Sequence, residues 1–310
     1  MSHGVVDQSV KIGVIVSIIT AIIFGLYPPA ARAAYADGAN AIFIVLMSTT
    51  IRTLMLAVFC MIKRKPLFET KEHRRTALIG GFWQSLSVIG IIGGLAYLSG
   101  PIVMIVVFTH TLMLLFFMAW KKEITLNSFT IITTVSALVG LSFVLDLWHA
   151  QPPSNWIGLG LAFMAAIATV IRLYIYGTQM KTRNPAVVGA ETFIVTTGII
   201  ILLALYKTPV MPETLAGWGW SLTCALSLGT ASFGMFYGIA LLGSFRWSLF
   251  AKIEPIFTAL FSVLLLGEVL KTHQYLGILL VLGSLIAYQI FSAKSAKKLA
   301  AKTLAVIPEA

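Results

Sequence analysis

Two groups able to bind and release protons, His110 and Glu254, stand in stretches otherwise too apolar to hold charge. A carboxyl and an imidazole can each take up, hand on or share a proton. Pro255 follows Glu254, and its missing amide frees a backbone carbonyl one turn earlier and permits a kink. Arg52, Glu191 and Lys252 also fall inside apolar stretches. Charge at membrane depth costs about 2.5–3.5 kcal/mol or more, so each group must find a partner or face water. Arg52 and Glu191 are expected either to brace helices through ion pairs or backbone carbonyls, or to contact a solute. Lys252 and Arg172 lie about two turns or less from a helix end, from which a long side chain can snorkel to the headgroups. Trp83, beside Gln84, joins Tyr27, Tyr97 and Tyr237 as an aromatic set that could line a cavity for flat apolar groups or simply pack.

The sequence contains no Gly-x-x-x-x-Gly-Lys phosphate loop and no His-Glu-x-x-His. Cys60 and Cys224 suggest neither a disulfide framework nor a metal site. Catalytic residues, cofactors and metals are therefore all expected to be none, and any work must draw on a gradient or a partner.

What positions these groups is a series of ten apolar stretches, near 11–34, 41–62, 76–97, 101–120, 126–145, 156–177, 186–206, 217–241, 246–266 and 274–292. Each holds about 20 residues, the length a helix needs to cross about 30 Å of hydrocarbon. None alternates with the period of two that a barrel strand requires. The chain is 58% hydrophobic and 11% charged, against about 25% charged in an average soluble domain. An all-α transmembrane fold follows, with the lipid bilayer as its first partner.

The second five stretches faintly repeat the first. At one common spacing Gly90 matches Gly234, Gly94 matches Gly238, Phe117 matches Phe261, and His110 falls on Glu254. The shared Gly-x-x-x-Gly lets two helix backbones approach closely in lipid. Five spans per repeat turn the second copy upside down, the inverted-repeat plan typical of secondary transporters. His110 and Glu254 could then approach a central cavity from opposite sides. The expected organisation is a first repeat over 1–150, a second over 151–292 and a basic tail over 293–310.

Net charge is +11, a value that in a soluble protein suggests nucleic acid. Here 16 of the 22 Lys and Arg gather on one side of the ten crossings, in loops such as 63–75 and in the tail. The positive-inside rule places that side, and both termini, in the cytoplasm. No nucleic-acid partner is needed. Trp120, Trp148, Trp156, Trp218, Trp220 and Trp247 stand at stretch ends, as an aromatic belt would, and none is read as a substrate contact.

The run Ile253-Glu254-Pro255-Ile256-Phe257, continuing through Leu266-Gly267-Glu268 to Gly277 and Gly283, resembles the end of an EamA-type repeat of the drug/metabolite transporter superfamily. Phe24-Gly25, Arg32 eight positions on, and Arg52 in the next helix resemble the opening of the first repeat. Phe24 stands where the family often has Trp, and His110-Thr111 replaces the Glu-Pro expected in the first half. The resemblance implies a ten-helix exporter of small molecules working by alternating access in the bacterial inner membrane. Tyr27-Pro28-Pro29 and the aromatic third stretch look similar to the aromatic amino acid exporter branch.

The expected substrate is an amino acid or related amphipathic metabolite, moved downhill or with protons. A drug or nucleotide-sugar carrier of the same fold is the nearest alternative. A membrane-embedded enzyme would need catalytic groups clustered on one face, and a channel a recognisable filter. Oligomeric state is not legible in the sequence.

Overall fold

The computed structural model describes residues 2–150 and 155–304, with the side chains of 2–7 and 294–304 outside that description. The basic residues expected to anchor the tail, from Lys294 on, therefore lie outside the described side chains. Twelve α-helices run through the described residues: α1 (Ser2–Ala36), α2 (Ala41–Ile62), α3 (Lys71–Leu95), α4 (Gly100–Phe108), α5 (His110–Trp120), α6 (Ser128–Val144), α7 (Trp156–Gln179), α8 (Pro185–Tyr206), α9 (Leu215–Leu242), α10 (Ser244–Phe250), α11 (Glu254–Leu266) and α12 (Thr272–Leu304). No strand occurs among the described residues. Because α4 with α5 and α10 with α11 each make one crossing, nine spans among the described residues are long and apolar enough for a bilayer. The tenth, Ser128–Val144, is 17 residues long, shorter than expected. The chain is a multi-pass membrane protein.

Six of the helices begin on a side-chain cap. Asn40, Asn127, Asn155 and Asn184, with Thr70 and Thr214, each accept a hydrogen bond from an amide in the first turn of the helix that follows. A cap of this kind contributes roughly 1 kcal/mol, and it marks where the chain re-enters the bundle.

Packing obeys a two-fold rule. The α1·α9 contact has its counterpart in α7·α3, and α2·α9 has its counterpart in α8·α3. Two further contacts, α2·α8 and α6·α12, are their own counterparts. That pattern is what a two-fold relation between the two sets of five spans produces, and five crossings per set make the second copy inverted. The glycines make it possible. A Cβ on Gly90 would sit 2.7 Å from the Leu161 carbonyl oxygen of α7, and one on Gly234 would overlap the Thr20 hydroxyl of α1. Gly94 faces Val103 across 3.3 Å, and its equivalent Gly238 faces Trp247, the residue equivalent to Val103, across 2.7 Å. At the self-paired α6·α12 crossing, Gly140 and Gly277 bring two backbones into direct contact.

Outward faces are apolar and open. Leu202, Leu264 and Leu279 are each about two-thirds exposed or more, as lipid-covered positions must be.

Both discontinuous spans break at equivalent places by different chemistry. In the second half a 3-10 segment, Ala251–Ile253, separates α10 from α11, and Pro255 leaves the Ala251 carbonyl without its helical donor. In the first half the break falls at Thr109. There His110 Nδ1 donates to the Val107 carbonyl at 2.8 Å, and Thr109 Oγ1 donates to the Val106 carbonyl at 2.6 Å. Val107 is the equivalent of Ala251, so the same carbonyl is released from the helix ladder in both halves. The kink expected at Pro255 is present as the 3-10 segment; the break at Thr109 has no Pro or Gly to announce it.

Candidate functional site

Between the two repeats lies a cavity of about 250 Å³, lined from α1, α2, α3, α4, α5, α7, α8, α9, α10 and the start of α11. It reaches the surface at the ends of α1 and α3, where Tyr35 and Leu95 are each nearly half exposed. The opposite, basic end is sealed. There Leu56, Leu114, Leu173, Tyr176, Phe236 and Ile239 pack into one wholly buried cluster with Trp247. Ser244 Oγ donates to the Leu173 carbonyl at 2.6 Å and ties α10 to α7 within that seal.

Five of the ten candidate residues meet in the cavity: Tyr27, Arg52, Gln84, His110 and Glu254. Arg52 lies with its guanidinium over the Phe193 ring, 5.3 Å from the centroid, and its Nε is buried without a hydrogen bond. Gln84 Oε1 accepts from the Tyr176 hydroxyl at 3.3 Å. Because the Val107 carbonyl can only accept, His110 Nδ1 carries a hydrogen, which leaves Nε2 as the ring's remaining polar atom. The Glu254 carboxyl makes no hydrogen bond or ion pair among the described residues, although it opens α11 where the helix dipole favours negative charge; its backbone carbonyl accepts from Thr258 Oγ1 at 3.1 Å.

The other five lie elsewhere. Glu191 is 1% exposed and braces the basic end: Arg183 Nη2 donates to one carboxylate oxygen and the Phe68 amide to the other, both at 2.6 Å. Lys252 does not snorkel. It is fully buried beside the cavity, donates from Nζ to Thr111 Oγ1 at 2.5 Å, and lies 5.8 Å from the centre of the Phe108 ring. Its α10–α11 break sits in the bundle interior, so its stem has no path to a headgroup. Trp83 packs edge-on against Phe82, Tyr97 is half exposed at the end of α3, and Tyr237 leans on the sealing cluster.

The structure adds residues that the sequence reading set aside. Arg172, expected to snorkel, lines the cavity with a buried, unpartnered Nε. Trp247, expected in the aromatic belt, is 7% exposed and also lines it, whereas Trp120, Trp148 and Trp156 are open as a belt requires. Ser87 and Thr169 join across α3 and α7 at 2.9 Å. Thr169, Arg172 and Tyr176 follow one another at helical spacing, so a polar stripe on α7 was there to be found.

At the open end two clusters tie loops together. Arg32 pairs with Glu268 at 2.6 Å, joining two of the residues that carried the family resemblance. Asp146, held at φ 53°, accepts from Lys271 at 2.7 Å, from His273 Nε2 at 2.7 Å and from His149 Nδ1 at 2.5 Å. The side-chain atoms that Asp146, His149 and His273 could offer to a metal lie within 4.8 Å of one another, a metal-ligating set in composition. The carboxylate is already taken by three donors, one of them a lysine ammonium, so the arrangement is a clasp between the α6 end and the α12 start. Burial would raise the Asp146 carboxyl, but those hydrogen bonds outweigh it and hold it at about 2.

The model of the EamA-like transporter family matches this chain twice, over residues 11–146 and 153–288. The chain belongs to that family. An uncharacterized transporter of Synechocystis sp. is 29% identical over 129 residues, and the match spans 39% of each chain. A solved crystal structure superimposes with a TM-score of 0.75 over 90% of this chain and 98% of its own, at 14% identity, which speaks for the fold alone.

Proposed function

We propose that this transporter exports small amphipathic metabolites, amino acids with aromatic or other apolar side chains foremost, by alternating access around its central cavity. The observation that carries this reading is the cavity's lining. Arg52, Arg172 and Glu254 supply both signs of charge, and Phe24, Phe108, Phe193 and Trp247 supply an apolar wall. A zwitterion with an apolar tail matches that mixture. About 250 Å³ falls just below the ~300–1,000 Å³ of drug-sized sites and suits an amino acid better than a nucleotide-sugar. Glu254 and His110 are the groups proposed to couple proton movement to reorientation.

In this reading residues 1–150 and 151–292 form the two repeats, with a basic cytoplasmic tail from 293. Both termini face the cytoplasm of a bacterial inner membrane, and the cavity opens outward. Counterflow of labelled phenylalanine into liposomes preloaded with the unlabelled amino acid tests it. Exchange that saturates and is competed by other apolar amino acids is expected. Flux without saturation or competition would favour a channel and sink the proposal.

A further inference from the structure

We propose that the group this cavity is built to hold is a carboxylate, seated by Arg52 and Arg172; the inference rests on reading the same cavity as the transport site. The two guanidiniums share about 250 Å³ with a single acidic side chain, Glu254, so the lining carries more positive than negative charge. His110 donates from Nδ1 to Val107 in its neutral form and as the imidazolium alike, so it either leaves that balance unchanged or adds to the positive side. Buried guanidinium N–H groups normally find acceptors. Here the Nε of each arginine is buried and has none; Arg52 lies over the Phe193 ring, which accepts no conventional hydrogen bond, and Arg172 has only the neutral Tyr176 hydroxyl as a side-chain partner among the described residues.

Arg183 gives an internal comparison. Its Nε is likewise without a partner, yet its Nη2 is neutralised by the Glu191 carboxylate at 2.6 Å. Neither Arg52 nor Arg172 forms an ion pair among the described residues. What is missing at the cavity pair is therefore the anion that Glu191 supplies to Arg183, and a planar anion placed between guanidiniums can take two parallel N–H groups. A carboxylate fits that geometry. An ammonium would find two like charges there and a single opposite one at Glu254. The substrate then lies with its acid toward the arginines, its apolar tail along Phe24, Ile91 and Met104, and any amino group toward Glu254.

Thermal unfolding of the purified full-length protein, with matched probes, tests this directly. The probes are phenylalanine, 3-phenylpropionate, phenylalanine amide, phenethylamine and sodium sulfate. The two carboxylates are expected to stabilise the protein at concentrations at least about tenfold lower than the amide or the amine, because a site made to donate to an oxygen anion rejects the analogue lacking it. Arg172→Gln and Arg52→Gln should shrink the acid-over-amide preference toward one. The wild-type panel does not depend on those variants folding. Equal or stronger stabilisation by phenethylamine, equal stabilisation by sulfate, or no stabilisation by either carboxylate would overturn the assignment. Stabilisation by carboxylates without counterflow would leave the site standing and remove the transport reading.

Discussion

Thr53 and Thr197 share a hydrogen bond, hydroxyl to hydroxyl at 2.9 Å, although 144 residues separate them. That separation is the spacing of the repeat, so each residue touches its own counterpart and the pseudo-two-fold axis must pass between them. Lys252 and Phe108, also counterparts, meet in the same way at the two helix breaks.

An on-axis hydroxyl pair should behave as a unit. Thr53→Val and Thr197→Val are each expected to lower stability by about 0.6 kcal/mol, and by no more than ~1.7, the range for interhelical hydrogen bonds in membranes. The double variant should cost less than the sum. Unfolding in detergent micelles checks it, and strict additivity would mean that the hydroxyls do not couple.

Glu254→Gln keeps the side-chain shape and the 3-10 segment before Pro255 but removes the cavity's one carboxylate. Exchange is expected to fall by about tenfold or more, the scale of one charge-assisted hydrogen bond, and its pH dependence should flatten. Counterflow between pH 5 and 8 is the measurement. Wild-type rates at every pH would take Glu254 out of the mechanism.

Glu191→Ala is expected to act on the fold instead. It strands Arg183 in a buried position and leaves the Phe68 amide without its acceptor, a loss of about 3–5 kcal/mol for breaking a buried pair. Low yield and early unfolding should appear, with unchanged selectivity among competing amino acids in whatever protein survives. Changed selectivity at normal stability would return Glu191 to the cavity.

The clasp at the open end sets an acid limit. Asp146 sits near 2 in the folded chain against an ordinary 3.8, so as pH falls the unfolded chain takes up its proton first. The contribution is complete above about pH 4 and disappears between there and pH 2. The stability difference between wild type and Asp146→Asn should shrink across that window, read by thermal scans. A gap that stays constant down to pH 2 would mean the clasp contributes nothing.

Glycine positions separate packing from lipid contact. Gly90→Leu should abolish folded yield, since even a Cβ meets the Leu161 carbonyl. Gly283→Leu should be tolerated, because nothing lies within 4 Å of its Cβ position. Fluorescence-detected size exclusion of tagged variants distinguishes the two, and similar profiles would show the α3·α7 approach to be incidental.

The spans and their repeat were legible because a span announces itself by length and apolarity, and because Gly90 and Gly234 carry the close approach wherever it recurs. Depth within a bundle was not. Arg172 and Lys252 both read as snorkelling cations, since distance to a helix end is visible in sequence while the side of the helix that faces inward is not. Trp247 was misread for the same reason. The break at Thr109 escaped notice because side chains, not proline, take the freed carbonyls there. Glu191 and Arg52 looked alike as buried charges; only three-dimensional pairing separates a brace from a lining residue.

In the alternating access proposed above, exchanging the conformations of two inverted halves converts one facing state into the other. Were the halves identical, those states would be degenerate in energy. Counterpart pairs of unlike chemistry, Phe108 with Lys252, His110 with Glu254 and Thr111 with Pro255, fall at the two helix breaks, and Arg52 with Thr196 and Arg172 with Pro28 place two more beside the cavity. In that proposal the bias between facing states resides in these unlike pairs, and transposing them between halves is expected to shift which way the resting molecule faces.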